Sequence, residues 1–509
     1  MPMTVDSREP LPLVPAPTVA RHLGAPGFTL NGRVAVTGDE AAVETVRGFL
    51  AARTGLLLGT AAEGVGIELR IEPGGAPESY TLISDAGGVA VAGADAAGLF
   101  YGIHTLIQLV RRDRDKWLIP AVRIEDAPRF AYRGVMLDVA RHFFPVETVC
   151  AYIDRAAALK FNHLHLHLSD DQGWRIDLPS RPELTRRAAS SSVGGDPGGF
   201  YSAEDYARII AHAAARHMTV VPEIDMPGHT HAAGIAYPDL VETPVLTDQM
   251  RADAAAFASP LPAEGVPYTG IVVGFSSLRI GDPATDDFVA DVVTDLAAMT
   301  PGPYLHIGGD EALGTDAADY AAFLAQATRA VAAAGKTPIA WHEAGAAPSL
   351  HPGTIGQYWG FVSPTGDMDA KTRAFAERGG RVILSPADAV YLDMKDAEDC
   401  PLGLTWANGP TSLHRSYAWE PGSVIPGLPE EAILGVEAPL WTETIATAAD
   451  IDRMAFPRIA AAAEAAWSAP HARDWDLFRV RLGGLTALWD AYGIGFHRSD
   501  DVDWRDDDA

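Results

Sequence analysis

From about residue 129 the chain alternates short apolar segments with Ala-rich helical ones, many times over. Segments 134–138, 163–168, 219–222, 304–307, 338–341, 354–358, 381–384 and 433–436 carry the branched and aromatic residues of buried strands. Segments 146–160, 203–217, 317–334, 367–378 and 449–466 show helical spacing between them. Eight strands with intervening helices are the count that closes a (β/α)8 barrel. An open doubly wound sheet is the competing architecture, but it usually carries a Gly-rich phosphate loop after its first strand, and this chain has none there.

Ahead of the barrel, 65–71, 80–84 and 89–92 read as strands, and 95–110 reads as an amphipathic helix opened by Asp95. Glu125-Asp126-Ala127-Pro128 then breaks the pattern. The expected organisation is α/β: a small stabilising α+β domain over 1–128, a catalytic (β/α)8 TIM barrel over 129–490 and an acidic tail over 491–509. Within the tail, 499–509 reads as a solvated or frayed end. The stretch 237–281 is rich in Pro, Gly and Ala without clear periodicity, and loops of that size are usually lids or insertions.

Charge narrows the partners. There are 67 Asp and Glu against 39 Lys and Arg, a formal net charge of −28 over 509 residues. That balance argues against nucleic acid and against an anionic membrane surface. No uninterrupted apolar run is long enough for a transmembrane helix, and no leader with a basic start and apolar core is visible. The chain as written is therefore expected in the cytoplasm, or secreted if a leader has been removed, and as a monomer or homodimer. Cys150 and Cys400 are the two cysteines. They exclude a disulfide framework, leaving a single long-range bridge or two buried thiols.

In a barrel, reactive groups collect where strands run into the loops that follow them. The rim here is rich in such groups: Asp138 and Arg141, Asp170 and Asp171, Glu223, Asp225 and His229, Asp310 and Glu311, Trp341 and Glu343, Trp359, Tyr391 and Asp393, then Glu437, Trp441 and Glu443. Carboxylates, several Trp and one Arg at one rim suit a sugar, whose apolar face stacks on rings and whose hydroxyls take charged hydrogen bonds. Asp310-Glu311 is the sharpest feature. Adjacent carboxyls do not ionise independently, and a held proton is what a general acid needs. Neighbours on an extended backbone point opposite ways, which suits one carboxyl on the leaving group and the other on a different substrate group. The alternative is a helix N-terminal pair with only a dipole role.

His163, His165 and His167 alternate along one strand and share a face. With His229 they could hold zinc for an amidohydrolase, or they could be packed and hydrogen-bonded inside the barrel. A sugar-binding module without catalysis is a further alternative. The rim carboxylates suffice without metal or cofactor, and neither is expected.

Five ordered motifs carry a resemblance. They are Arg133-Gly134-Val135-Met136-Leu137-Asp138 with Arg141-His142-Phe143; His165, His167 and Asp170-Asp171-Gln172-Gly173-Trp174; Pro222-Glu223-Ile224-Asp225-Met226-Pro227-Gly228-His229; His306-Ile307-Gly308-Gly309-Asp310-Glu311; and Trp441-Thr442-Glu443. Together they resemble the β-N-acetylhexosaminidases of glycoside hydrolase family 20. The resemblance implies exo-hydrolysis of terminal β-linked N-acetylglucosamine or N-acetylgalactosamine from an oligosaccharide or glycoconjugate. It implies a retaining mechanism in which the substrate's own 2-acetamido oxygen attacks the anomeric carbon, giving an oxazolinium intermediate. By the same matching Asp310 orients the acetamido group, Glu311 is acid and then base, and Tyr391 bonds the acetamido oxygen. Arg141, Glu443 and Asp393 hold hydroxyls. Trp341, Trp359 and Trp441 wall the sugar, Trp406 is a rim contact, and Asp170 with His229 supports Glu311. Glu437 stands where Gln is expected, and it would either disturb hydroxyl binding beside Glu443 or point outward.

Overall fold

Strands covered on both faces need unbroken apolar character, and the barrel strands have it. In a computed structural model that describes residues 10–59 and 66–505, the strands are Tyr132–Asp138, His163–His167, Thr219–Glu223, Tyr304–His306, Thr337–Trp341, Ile355–Tyr358, Val382–Leu384 and Ile433–Ala438. All pair in parallel with their neighbours, and Tyr132 opposite Gly435 closes the cylinder. The architecture is the expected (β/α)8 barrel, preceded by an α+β segment. Two neighbouring strands deviate in register between Val382 and Ile383.

The helices follow local signals. Ala203–Ala214 opens on a capping box made by Ser202 and Asp205, and Ala317–Ala333 opens on Asp316. Pro283–Met299 has no counterpart among the sequence-predicted helices. Its signal is Asp282, which accepts from Ala284 N, with proline at the first helical position. The helix expected over 449–466 is two, Ala448–Ala455 and Arg458–Trp467. Pro457 lies between them; it lacks an N–H and disfavours helical backbone before it.

The chain divides into two compact units, one made of residues up to 129, 158–160 and those from 460 onward, the other of 130–157 and 161–459. In the first, a six-stranded mixed sheet is covered by Ala96–Leu109, which buries a run of residues from Gly98 to Leu109. The expected strand start at Val65 lies outside the described residues, and the sheet also uses Val19–His22, Ala35–Thr37 and Val122–Asp126. Buried Lys160 bonds Asp126 at 2.9 Å in this unit. The tail differs from the expected frayed end: Trp504 packs on Phe496 at 4.9 Å and on Trp489 at 6.1 Å, and Val502 is buried. Residues 506–509 lie outside the described range. Among the described residues no helix is long and apolar enough to cross a membrane. Cys150 and Cys400 are both free, and Cys150 is only half-buried.

Candidate active site

The strand ends place the rim carboxylates before any ligand is considered. Asp138, at the end of the first barrel strand, accepts from Ala140 N at 2.8 Å and Arg141 N at 3.1 Å, and from Thr442 N at 3.1 Å. The turn this fixes directs Arg141 inward, where its Nη2 lies 2.7 Å from Asp170 and its guanidinium 4.8 Å from the Trp441 ring.

Asp310 and Glu311 lie in the loop beyond the fourth strand and not at a helix start, since the next helix begins at Ala317. Gly308, Gly309 and Glu311 all have positive φ, at 70°, 99° and 47°. Gly308 is obligatory on sterics too, because a Cβ there would stand 1.7 Å from Asp225 Oδ1. The expected opposite orientation of the pair is therefore not what the backbone produces. Both carboxyls turn toward one imidazole, with His229 Nε2 3.4 Å from Glu311 and 3.8 Å from Asp310. His229 also has positive φ, 55°, and its Nδ1 bonds Asp170 at 3.1 Å. Strained backbone at both ends of this contact is typical of functional sites.

Burial and charge set the protonation. Burial opposes the charge on Asp170, yet Arg141, His229 and the bond from His167 outweigh it and hold this carboxyl well below its usual range. His229 is likewise buried, and Asp170, Asp225 and Asp310 keep it protonated well above an ordinary imidazole. Burial raises Asp310, although His229 and Asp225 pull it down. Asp225 is also pushed up, by burial and then by Asp310 beside it. Asp393 is raised by burial and by Glu443, and Glu343 by burial and by Asp310.

A cavity of about 540 Å³ opens above these groups. Of the predicted residues, Arg141, Asp310, Glu311, Tyr391, Asp393 and Glu443 line it, together with Trp359, Trp406 and Trp441. Asp170 and His229 are buried behind the lining. Trp341, expected as a wall, does not line the cavity: it is fully buried and packs on Trp441 at 6.0 Å and His306 at 4.7 Å. Trp359 donates to Glu343 at 2.9 Å, and Trp406 stands half-exposed at the mouth, edge-on to Trp359 and Tyr391.

The histidine triplet runs along the inside of the barrel. His163 stacks on Tyr132 at 3.9 Å, and burial and Arg133 lower it to about 3. His165 bonds Glu437 at 2.9 Å and lies 3.0 Å from Glu223; against burial, these carboxylates raise it to about 10. His167 bonds Glu223 at 2.5 Å and Asp170 at 2.8 Å and is raised, against burial, to about 9. The predicted metal trio of His163, His165 and His229 is not brought together. Sets such as His165, Glu223 and His306 are close enough to hold an ion, but their carboxylates already face imidazoles. Glu437 neither points outward nor reaches the cavity. It is buried inside the barrel, accepting from Tyr132 at 2.5 Å, His165 at 2.9 Å and Gln357 at 2.6 Å.

Sequence reasoning gave no role to Asp225, Glu223 or Glu343, though each was visible as a polar strand end. The stretch 237–281, expected as a lid or insertion without periodicity, contains the unforeseen helix Asp248–Ala256, and Met250, Ala254, Tyr268, Val272 and Phe275 form a core of their own there. The capping signal Thr247 was legible there.

Residues 130–470 match the model of the glycosyl hydrolase family 20 catalytic domain, and 11–127 match domain 2 of that family. A beta-N-acetylhexosaminidase of Cellulomonas fimi is 43% identical over 97% of both chains. A solved family 20 beta-N-acetylglucosaminidase shares 57% identity and a TM-score of 0.92, covering 97% of this chain and 99% of that one. A mutant Streptomyces plicatus beta-hexosaminidase in complex with the product GlcNAc has 42% identity and a TM-score of 0.87, covering 97% and 98%. With both segments matched in order and the carboxyl pair at the barrel mouth, the chain belongs to glycosyl hydrolase family 20.

Proposed function

We propose that this protein is an exo-acting β-N-acetylhexosaminidase that removes terminal β-linked N-acetylglucosamine or N-acetylgalactosamine from oligosaccharides and glycoconjugates. The observation that carries this reading is the convergence of Asp310 and Glu311 on His229 beneath an aromatic-walled cavity. In the first step the substrate's amide oxygen bonds to the anomeric carbon, the glycosidic bond breaks, and Glu311 gives its proton to the leaving oxygen. The positive charge that develops on the amide nitrogen is met by Asp310. Burial raises that carboxyl while His229 and Asp225 pull it down, and as a carboxylate it stabilises the new cation by its charge. Tyr391 donates to the amide oxygen. In the second step Glu311 takes a proton from water as that water attacks the anomeric carbon and the amide oxygen leaves. Arg141, Asp393 and Glu443 hold the hydroxyls, Trp359 and Trp441 wall the ring with Trp341 behind them, and Asp170 aligns His229. The chemistry is assigned to the segment 129–490, with 1–128 in a supporting role.

Aryl N-acetyl-β-glucosaminides test it. The protein should release aryl alcohol from them and leave the matching glucosides, which lack the internal nucleophile, nearly untouched; equal rates on both would remove the reading. Asp310→Asn should lower kcat at least about 100-fold, as loss of a preorganised charge-stabilising group does. Glu311→Gln should cost most with poor leaving groups, and a loss independent of the leaving group would refute its role as acid.

A further inference from the structure

The long segment between the third and fourth barrel strands contributes more to the cavity than a cover. Gln249 and Asp253 are four residues apart on the helix Asp248–Ala256, and Phe257 follows four residues later at its C-terminus, so the three lie along one face. All three line the same cavity as Glu311. Gln249 Nε2 donates to Asp253 Oδ1 at 2.8 Å, which orients the carboxylate and leaves its other oxygen to accept. Phe257 is 56% exposed, so its ring is accessible from the cavity it lines.

This face is held in place. On the adjoining face of the helix Met250 and Ala254 are buried with Tyr268, Val272 and Phe275, and Met250 also lines the cavity. Ser276 donates to Asp171 at 2.6 Å, Ser277 pairs with Thr315 at 2.7 Å, and Leu278 N donates to Pro227 O at 2.9 Å. Those three contacts tie the segment to the turns that carry Asp170, His229 and Glu311. Asp310 is nearly buried and the Glu311 side chain is 33% exposed, so Glu311 lies toward the mouth. Whatever is joined through the oxygen that Glu311 protonates lies on the outward side of it, in the cavity that this helix and Trp406 also line.

A carboxylate, an amide and an aromatic ring on a fixed face are the groups that bind a pyranose, the first two at its hydroxyls and the ring at its apolar side. We propose that Gln249, Asp253 and Phe257 form a second sugar subsite that takes the departing hexopyranose of a β-linked disaccharide. The proposal rests on the hexosaminidase reading above and adds the preference for a sugar as leaving group.

The test compares kcat/KM for the β-1,4-linked N-acetylglucosamine disaccharide with kcat/KM for N-acetyl-β-glucosaminyl fluoride. The fluoride's leaving group is one atom and cannot reach the helix. Asp253→Ala and Phe257→Ser should each lower the disaccharide-to-fluoride ratio about tenfold, the effect of losing one charged hydrogen bond or one stacked ring, and Gln249→Ala about threefold. Thermal midpoints should stay near wild type because the replaced side chains are on the surface. A ratio within twofold of wild type for both Asp253→Ala and Phe257→Ser would overturn the subsite. A wild-type protein that ignores the fluoride, or cleaves glucosyl fluoride as well, would instead overturn the underlying activity.

Discussion

Asp225 is a fully buried carboxyl whose charge state bears on its neighbour Asp310. Its Oδ1 accepts from Gly309 N at 3.0 Å, and burial beside Asp310 pushes its carboxyl toward the protonated form. A carboxylic acid that accepts with one oxygen and donates with the other has the hydrogen-bonding pattern of an amide. Asp225→Asn should therefore keep unfolding free energy within about 1 kcal/mol of wild type, whereas Asp225→Ala leaves the Gly309 N–H without its acceptor and should cost about 1–3 kcal/mol. Urea denaturation of the two variants checks this. If Asn proves as damaging as Ala, the proton is not on Asp225.

At the scale of elements, the barrel strands were legible because each is an apolar run bounded by turn residues, and all eight fall within a few residues of their expected positions. The identities of the strand-end residues were legible for the same reason: a strand's last residue and a barrel's active rim coincide. Their directions were not. The divergence expected for Asp310 and Glu311 assumed extended backbone, and three positive φ values reversed it. Trp341 reads like its neighbours in sequence, but it ends its strand within the core rather than at the opening. Glu437 could not be placed from sequence because its partners, Tyr132, His165 and Gln357, come from three other strands. Glu437→Ala strips one of the two buried anions that face His165, leaves only Glu223, and removes the acceptor of Tyr132 and Gln357. It should cost about 3–5 kcal/mol of stability, and unchanged unfolding would show that the pair is not ionised.

Over the whole molecule the buried ionic ladder gives stability a maximum in mildly acidic solution, with losses on both sides. His165 and His167 titrate near about 10 and about 9 when folded, above the ordinary imidazole value of about 6.5. Their contribution is full below about pH 6.5 and is lost as pH rises through those values. Glu223, Glu437 and Asp170 are lowered instead, so their contribution is full above about pH 4.5 and fades in more acid solution. Asp225, Glu343 and Asp393 are raised, which penalises the folded state as pH climbs and adds to the same trend. The thermal midpoint should be highest between about pH 4.5 and 6.5 and fall by several degrees toward pH 9.5. A midpoint that climbs steadily to pH 9.5 would contradict the charged imidazoles.

All of this machinery serves one claim, that the nucleophile is an oxygen the substrate carries and the protein only aims. Replacing the acetamido group of an aryl glycoside by its mono-, di- and trifluoroacetyl forms weakens that oxygen stepwise while the leaving group and the other ring substituents stay the same. The measurement is kcat/KM across the four substrates. The account predicts a steep fall with each fluorine added; a flat series would show that the amide takes no part in breaking the bond.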